Sequence, residues 1–189
     1  MFSKSMTARQ NLEAFADMGG RVFASHWHVY WFERGTAAFQ SIATFSHAAA
    51  LPNPVDVTVD TSFPAGTALA DWMVNVGGST TPGTVTLRQN ANQTTIAAAT
   101  GGNTSQRWLY TDRPSASVQY LSATTPIPGG ACGRVVMSDL HVSTAGGSAS
   151  DMPAMDFPTG CVTTDLSPQE KVLEFMLFDI GNCVAPLAP

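Results

Sequence analysis

The chain has 189 residues, of which 44% are hydrophobic and 9% aromatic, enough to build one domain around a buried core. Only 12% are charged and the formal net charge is -5, so no basic surface can neutralise a nucleic-acid backbone or hold an anionic membrane. The apolar runs are short and broken by Gly, Pro or charge, none nearing the roughly 20 residues of a bilayer span.

The first ten residues carry no apolar stretch of the signal-peptide kind, which predicts a cytoplasmic product for the sequence as written. A composition rich in Thr, Ser, Ala, Gly and Asn and poor in Lys and Glu nevertheless matches exported bacterial proteins, so relatives are expected outside the cell. Cys132, Cys161 and Cys183 allow one internal disulfide. In an oxidising compartment the expected pair is Cys132 with Cys161; the alternative is three buried thiols.

Residues Ser5 to Asp17 place Met6, Leu12, Phe15 and Ala16 at helical spacing, and Gly19-Gly20 ends the pattern. RVFASHWH, Arg21 to His28, reads as a strand buried between layers. Val29 to Phe45 reads as a strand-end loop entering a short helix. VDVTVDT then alternates strictly over Val55, Val57 and Val59, the mark of a half-exposed strand. Gly66 to Val76 forms a helix with Leu69, Trp72, Met73 and Val76 on one face, closed by Gly77-Gly78. TVTLRQ, TTIAAA, RWLYT and SVQYLSA make a β-rich middle, punctuated by Pro82, Gly101-Gly102 and Pro114. Gly133 to Val142 is a strand whose apolar half runs into a polar end, followed by a long loop from Ser143 to Cys161. The final helix has Ser167 as N-cap, Pro168 in first position, Glu170 completing a capping box and Gly181 as its stop. Its apolar residues nearly encircle it, which predicts burial on more than one side. With neither internal repeat nor linker, residues 1–189 are expected to form a single α/β domain.

Gly19-Gly20-Arg21-Val22-Phe23 leading to His26, and Gly133-Arg134-Val135-Val136 leading to Asp139-Leu140-His141, resemble the paired strands of ThuA-like proteins. These belong to the wider class I glutamine amidotransferase-like group. SHWH, FPTGC and SPQEKVLEFMLFD also resemble segments of exported proteins of soil bacteria. The resemblance implies a flavodoxin-like, mostly parallel sheet flanked by helices. It departs in two respects. No cysteine stands near Ser25-His26, so glutaminase chemistry is not carried over, and the first helix starts almost at Met1, so the family's opening strands are lacking. A parallel sheet without them leaves an edge and apolar faces uncovered, which predicts a homodimer.

Residues two apart on a strand share a face, so His26 projects with His28 and Asp139 with His141. At the carboxyl ends of neighbouring strands, where open α/β sheets bind ligands, three imidazoles and a carboxylate would converge. That set suits a divalent metal, zinc first, with an open position for water. The expected function is therefore a metal-dependent hydrolase of a small-molecule activated ester or phosphoester, phosphotriesters included. His26, His28 and His141 would be ligands, and Asp139 a ligand, an orienting acceptor or a general base. Glu33 is a second candidate acid or base, or else a solvated loop carboxylate; His47 reads as a surface residue. Trp27, Tyr30, Trp31 and Phe32 either line a pocket for an aromatic or sugar ring or belong to the core. The alternative function is a non-catalytic carbohydrate- or partner-binding domain. Ser25 lacks the G-x-S-x-G elbow and Ser138 lies in a strand, so a serine hydrolase ranks third. No P-loop or G-x-G-x-x-G follows a strand, which argues against nucleotide cofactors.

Overall fold

The computed structural model describes residues 3–47, 51–88, 96–112, 116–130, 133–140 and 165–181. Helix α1 (Met6–Asp17) begins where the Ser5 hydroxyl accepts the Ala8 N–H at 3.1 Å. It ends at Gly19, whose φ of +100° suits glycine. Strand β1 (Arg21–Ser25) follows, then a 3-10 turn (His26–Val29) and the short helices α2 (Tyr30–Glu33) and α3 (Ala37–Gln40). Next come β2 (Ala43–Phe45), β3 (Val55–Val59) and α4 (Pro64–Asn75). Strands β4 (Thr84–Leu87), β5 (Ile96–Ala99), β6 (Ser105–Thr111), β7 (Ser117–Thr125) and β8 (Gly133–Ser138) precede α5 (Pro168–Gly181).

The sheet corrects the flavodoxin-like expectation. Six strands run in the order β1-β8-β7-β6-β3-β4, and only β1 with β8 is parallel; every other pair is antiparallel. A small antiparallel sheet joins β2 to β5. The reason lies in the connections. β6 and β7 are separated by residues 112–116 and β7 and β8 by 126–132, too few for the crossover that a parallel pair needs. Most of the β-rich middle thus enters the main sheet through antiparallel pairs, and the one parallel pair joins the two segments that carry Arg21-Val22 and Arg134-Val135.

Two cores flank this sheet. On one side α4 and α5 pack Leu69, Met73, Val172, Met176 and Ile180 against Val57, Trp108, Tyr120 and Val136. On the other, Ala16 of α1, Phe32 of α2, Phe39 of α3 and Ile96 of β5 meet Leu121, Val135 and Met137. The period-2 alternation of β8 sends Val136 to the first core and Val135 and Met137 to the second. β7 is buried along its whole length, so its polar residues need partners inside: Gln119 Nε2 donates to Ser117 Oγ and Trp108 Nε1 to Ser122 Oγ, both at 2.8 Å.

Helix α5 buries Val172, Met176 and Ile180, at spacing four, and also Gln169 and Lys171, while Leu177 and Phe178 are exposed. Lys171 lies about 100° round the helix from Val172, so burial extends beyond one stripe but leaves the face of Leu177 and Phe178 open. The predicted capping box is present: Glu170 N–H donates to Ser167 Oγ at 3.3 Å and Ser167 N–H to Glu170 Oε2 at 2.7 Å. Two neighbouring arginines of the parallel pair clasp the far end of α5. Arg21 Nε donates to the Ile180 carbonyl at 2.9 Å and Arg134 to the Asp179 carboxylate at 2.6 Å. Cations there also complement the negative end of the helix dipole. Burial pushes the Asp179 carboxyl above its usual range, and the opposing attraction of Arg134 does not fully offset it.

Among the described residues no helix is long and apolar enough to cross a membrane. His141, the three cysteines with the Cys132-Cys161 pairing, and the loop from Ser143 to Cys161 lie outside the described residues.

Candidate functional site

Parallel pairing of β1 with β8 aligns Ser25 with Ser138, so the residues that follow, His26 and Asp139, stand at adjacent carboxyl ends of the pair. The two segments that the site requires are thus neighbours in the sheet. Asp139 is fully buried, and its N–H donates to the Gln119 carbonyl at 2.9 Å. Ser138 is occupied: its hydroxyl accepts the Leu140 N–H at 3.1 Å and bonds the Tyr120 hydroxyl. Burial pushes the Tyr120 phenol far above its usual range, and the bond to Ser138 works only partly against this. With its hydroxyl engaged in the core, Ser138 is poorly placed to act as a nucleophile.

His26 is the one non-glycine residue with a positive φ among those described, at +51°. It makes the sharp turn from β1 into the 3-10 segment, a conformation that costs a side-chain-bearing residue roughly 1–3 kcal/mol and that clusters at functional sites. The turn also overturns the premise for the His26/His28 pair. Residues 26–29 are not strand, and two residues along a 3-10 helix rotate about 240°, so the two side chains do not share a face. The His26 ring packs on Trp27, with centroids 4.8 Å apart. His28 turns to the other side, where its Nδ1–H donates to the Ser25 carbonyl at 3.0 Å and leaves Nε2 as its accepting atom. A zinc ion held jointly by His26 and His28 thus loses the shared strand face on which it was expected. Among the described residues no three His, Cys, Asp or Glu side chains gather closely enough to hold a metal.

The turn instead builds a cleft of about 560 Å³, lined by Lys4, Trp27, His28, Val29, Tyr30, Trp31, Glu33 and His47. Its size is in the range that holds small organic ligands. Tyr30 and Trp31, consecutive on α2, stand with ring planes at 78° and centroids 6.2 Å apart, so they form a corner rather than a flat stack. Trp27 is 68% exposed, although an indole of that size ordinarily seeks cover. Tyr30 also closes one end of the cleft. Its hydroxyl accepts the Lys4 N–H at 2.9 Å and bonds Ser3, and these contacts, Ser3 first, draw the phenol below its usual range.

Glu33 lines this cleft rather than standing as a free loop carboxylate. Its Oε1 lies 3.1 Å from Nε2 of His47. His47 is more than half exposed, as a surface residue would be, yet it fixes the one carboxylate of the cleft. Fourteen positions and two secondary elements separate the pair in sequence, so no local periodicity could have joined them. A second polar centre, at the end of β3, also went unread. The Asp60 carboxylate accepts Arg107 Nε at 2.7 Å and Ser62 Oγ at 2.6 Å, and Arg107 lies 3.5 Å over the Tyr110 ring. Burial pushes Asp60 upward, but the bonds from Ser62 and Arg107 outweigh it and hold the carboxyl below its usual range.

Comparison of the chain with protein-family models, curated proteins and solved structures finds no match in any of the three. Among the described residues, the αL turn at His26 and the aromatic cleft beside it are the features that bear on function.

Proposed function

We propose that this protein binds a small organic molecule with an apolar body in the cleft formed by Trp27, Tyr30, Trp31 and the Glu33-His47 pair. The observation that carries this reading is the aromatic lining itself. Three large rings converge on one cavity together with a fixed carboxylate and the accepting nitrogen of His28. Apolar walls with a few convergent polar groups are the common make-up of small-molecule sites. This is the binding-domain alternative drawn from the sequence, with a small organic molecule in place of the carbohydrate or partner expected there. Screening by thermal shift against sugars, arenes, organic cations and organic acids tests it, since a ligand of the folded state raises Tm by mass action. Trp27→Ala, at a ring that is 68% exposed, is expected to abolish the shift while leaving the unliganded Tm within about 2 °C, the size of change typical of a surface substitution. No ligand class raising Tm, or an undiminished shift in the variant, would remove the reading.

A second reading, hydrolysis of an activated ester or phosphoester, is favoured by one observation: the αL turn of His26 beside buried Asp139 at the carboxyl edge of the parallel pair. In this reading His26 serves as general base to a water, and the cleft, which meets His26 through Trp27, holds the substrate. Ester and phosphotriester turnover by protein purified without a histidine tag, with and without chelator, is the test. Turnover abolished in His26→Ala supports it, and metal content fixes whether zinc takes part. Turnover unaffected by His26→Ala excludes it.

A further inference from the structure

The shape and charge of the cleft restrict its ligand further, given the reading of it as a binding site. We propose that it recognises an organic ammonium cation, one whose charge is spread over alkyl groups, attached to an apolar body.

Three observations converge. The ring planes of Tyr30 and Trp31 meet at 78°. A flat sugar or arene can stack on only one wall of such a corner, whereas a rounded alkylammonium head can touch both. Trp27 lines the same cavity and adds a third ring. The face of each ring carries the negative part of the quadrupole, and a cation within about 6 Å of the centroid is attracted to it, most strongly by tryptophan.

The second observation is Glu33. Its side chain is only 22% exposed and lines the cavity, with Oε1 engaged by His47. Oε2 makes no hydrogen bond within the described residues, so a carboxylate oxygen remains to offset the charge of a cation. The contact is electrostatic, and the half-shielded site strengthens it relative to bulk water. The third observation is the net charge of -5, which enriches cations at the surface and disfavours anionic ligands. Lys4, an exposed residue that also lines the cleft, acts in the opposite sense. It is tied to Tyr30 through its backbone, so removing its side chain leaves that tie in place.

A cavity of about 560 Å³ exceeds what a bare head group fills, hence the apolar body attached to it. An alkylated head lays its charge against the ring faces, whereas a primary ammonium, held by its N–H groups to Glu33 and His28, would leave those faces uncovered.

The test is titration calorimetry of the whole chain with choline and benzyltrimethylammonium. The comparison ligands are 3,3-dimethylbutan-1-ol as neutral isostere of choline, benzoate as anion, and methyl glucoside. NMR of the indole N–H signals of Trp27 and Trp31 reports the place of binding. The cations are expected to bind about tenfold more tightly than the neutral isostere. Glu33→Gln should remove about that factor for the cations and leave the neutral ligand unchanged, with Tm unaltered. Lys4→Ala should tighten the cations by about twofold, since it withdraws a screened surface charge. Equal binding of choline and its isostere, or tighter binding of benzoate or methyl glucoside, overturns the inference and leaves the cleft as a binding site. Binding of none of the five, with both indole signals unmoved, overturns the inference and counts against the cleft as a site.

Discussion

Replacing Arg134 by methionine keeps an unbranched stem and removes the guanidinium that lies 5.9 Å from the Trp108 ring centroid and joins β8 to the end of α5. The bond to Asp179 is 2.6 Å long, and the two side chains are only 12% and 13% exposed, so solvent screens the pair weakly. Removing one partner of such a pair leaves an uncompensated buried charge, for which about 3–5 kcal/mol is the expected loss of stability. Most of that loss comes from the stranded carboxylate rather than from a large net gain in the wild type, because Asp179 is already pushed above its usual range by burial despite Arg134. Two consequences follow. Asp179→Asn in the Arg134→Met background should restore stability to within about 1–2 kcal/mol of wild type, since it discharges the stranded group.

The loss should also depend on pH in a defined direction. A carboxyl whose folded pKa is raised makes the folded state bind more protons than the unfolded one between the two pKa values. Stability therefore falls as pH rises through that interval. Without Arg134 the rise is larger, so the gap between wild type and Arg134→Met widens from mildly acidic to neutral pH. Urea unfolding followed by circular dichroism at several pH values measures this, with unchanged m confirming that compactness is preserved. A loss under about 1 kcal/mol, or a gap independent of pH, would refute the reasoning.

Gly133→Ala would place a Cβ 1.8 Å from the Ala16 carbonyl oxygen, so α1 must lift from β8. A loss of about 1–3 kcal/mol in urea unfolding is expected, and an unchanged midpoint would show that α1 does not seat there. At the αL position, His26→Gly should be about 1 kcal/mol more stable than His26→Ala, because both lose the ring and only glycine accepts φ of +51° without strain. Equal stability would count against that backbone conformation. Asp60, held below its usual range, contributes stability that is present above the ordinary carboxylate pKa and lost as pH falls through its folded value. Asp60→Asn should accordingly flatten the acid limb of stability against pH, and an unaltered limb would mean that other groups control it. Tyr30→Phe removes the hydroxyl that accepts the Lys4 N–H, so hydrogen exchange at Lys4 should accelerate. No change in that rate would place the hold on the N-terminal segment elsewhere.

Much of the local structure was legible in the sequence because it is governed by local chemistry. Ser5 and Gly19 bound α1, Ser167, Pro168 and Glu170 open α5, and the alternation through Val55, Val57 and Val59 makes β3. The neighbourhood of the His26 and Asp139 segments was legible too, through their matched motifs. The strand assigned to His26 and His28 failed at one residue. Val22, Phe23 and Trp27 suit a strand, but the backbone turns at His26, and a left-handed residue leaves no periodic trace. The open face of α5 at Leu177 and Phe178 was also hidden, since its apolar residues surround it and only the tertiary packing decides which of them are covered.

What the sequence determined by itself is most of the longer elements, several of their caps and stops, and the acidic, weakly charged composition, all consequences of interactions within a few residues or of composition alone. The tertiary structure decided the strand order, the mixed direction of the sheet and the meeting of Glu33 with His47 on an aromatic corner. These depend on which distant segments gain most by burying their apolar faces together, and hydrophobic burial is non-directional, so no local pattern encodes the partner.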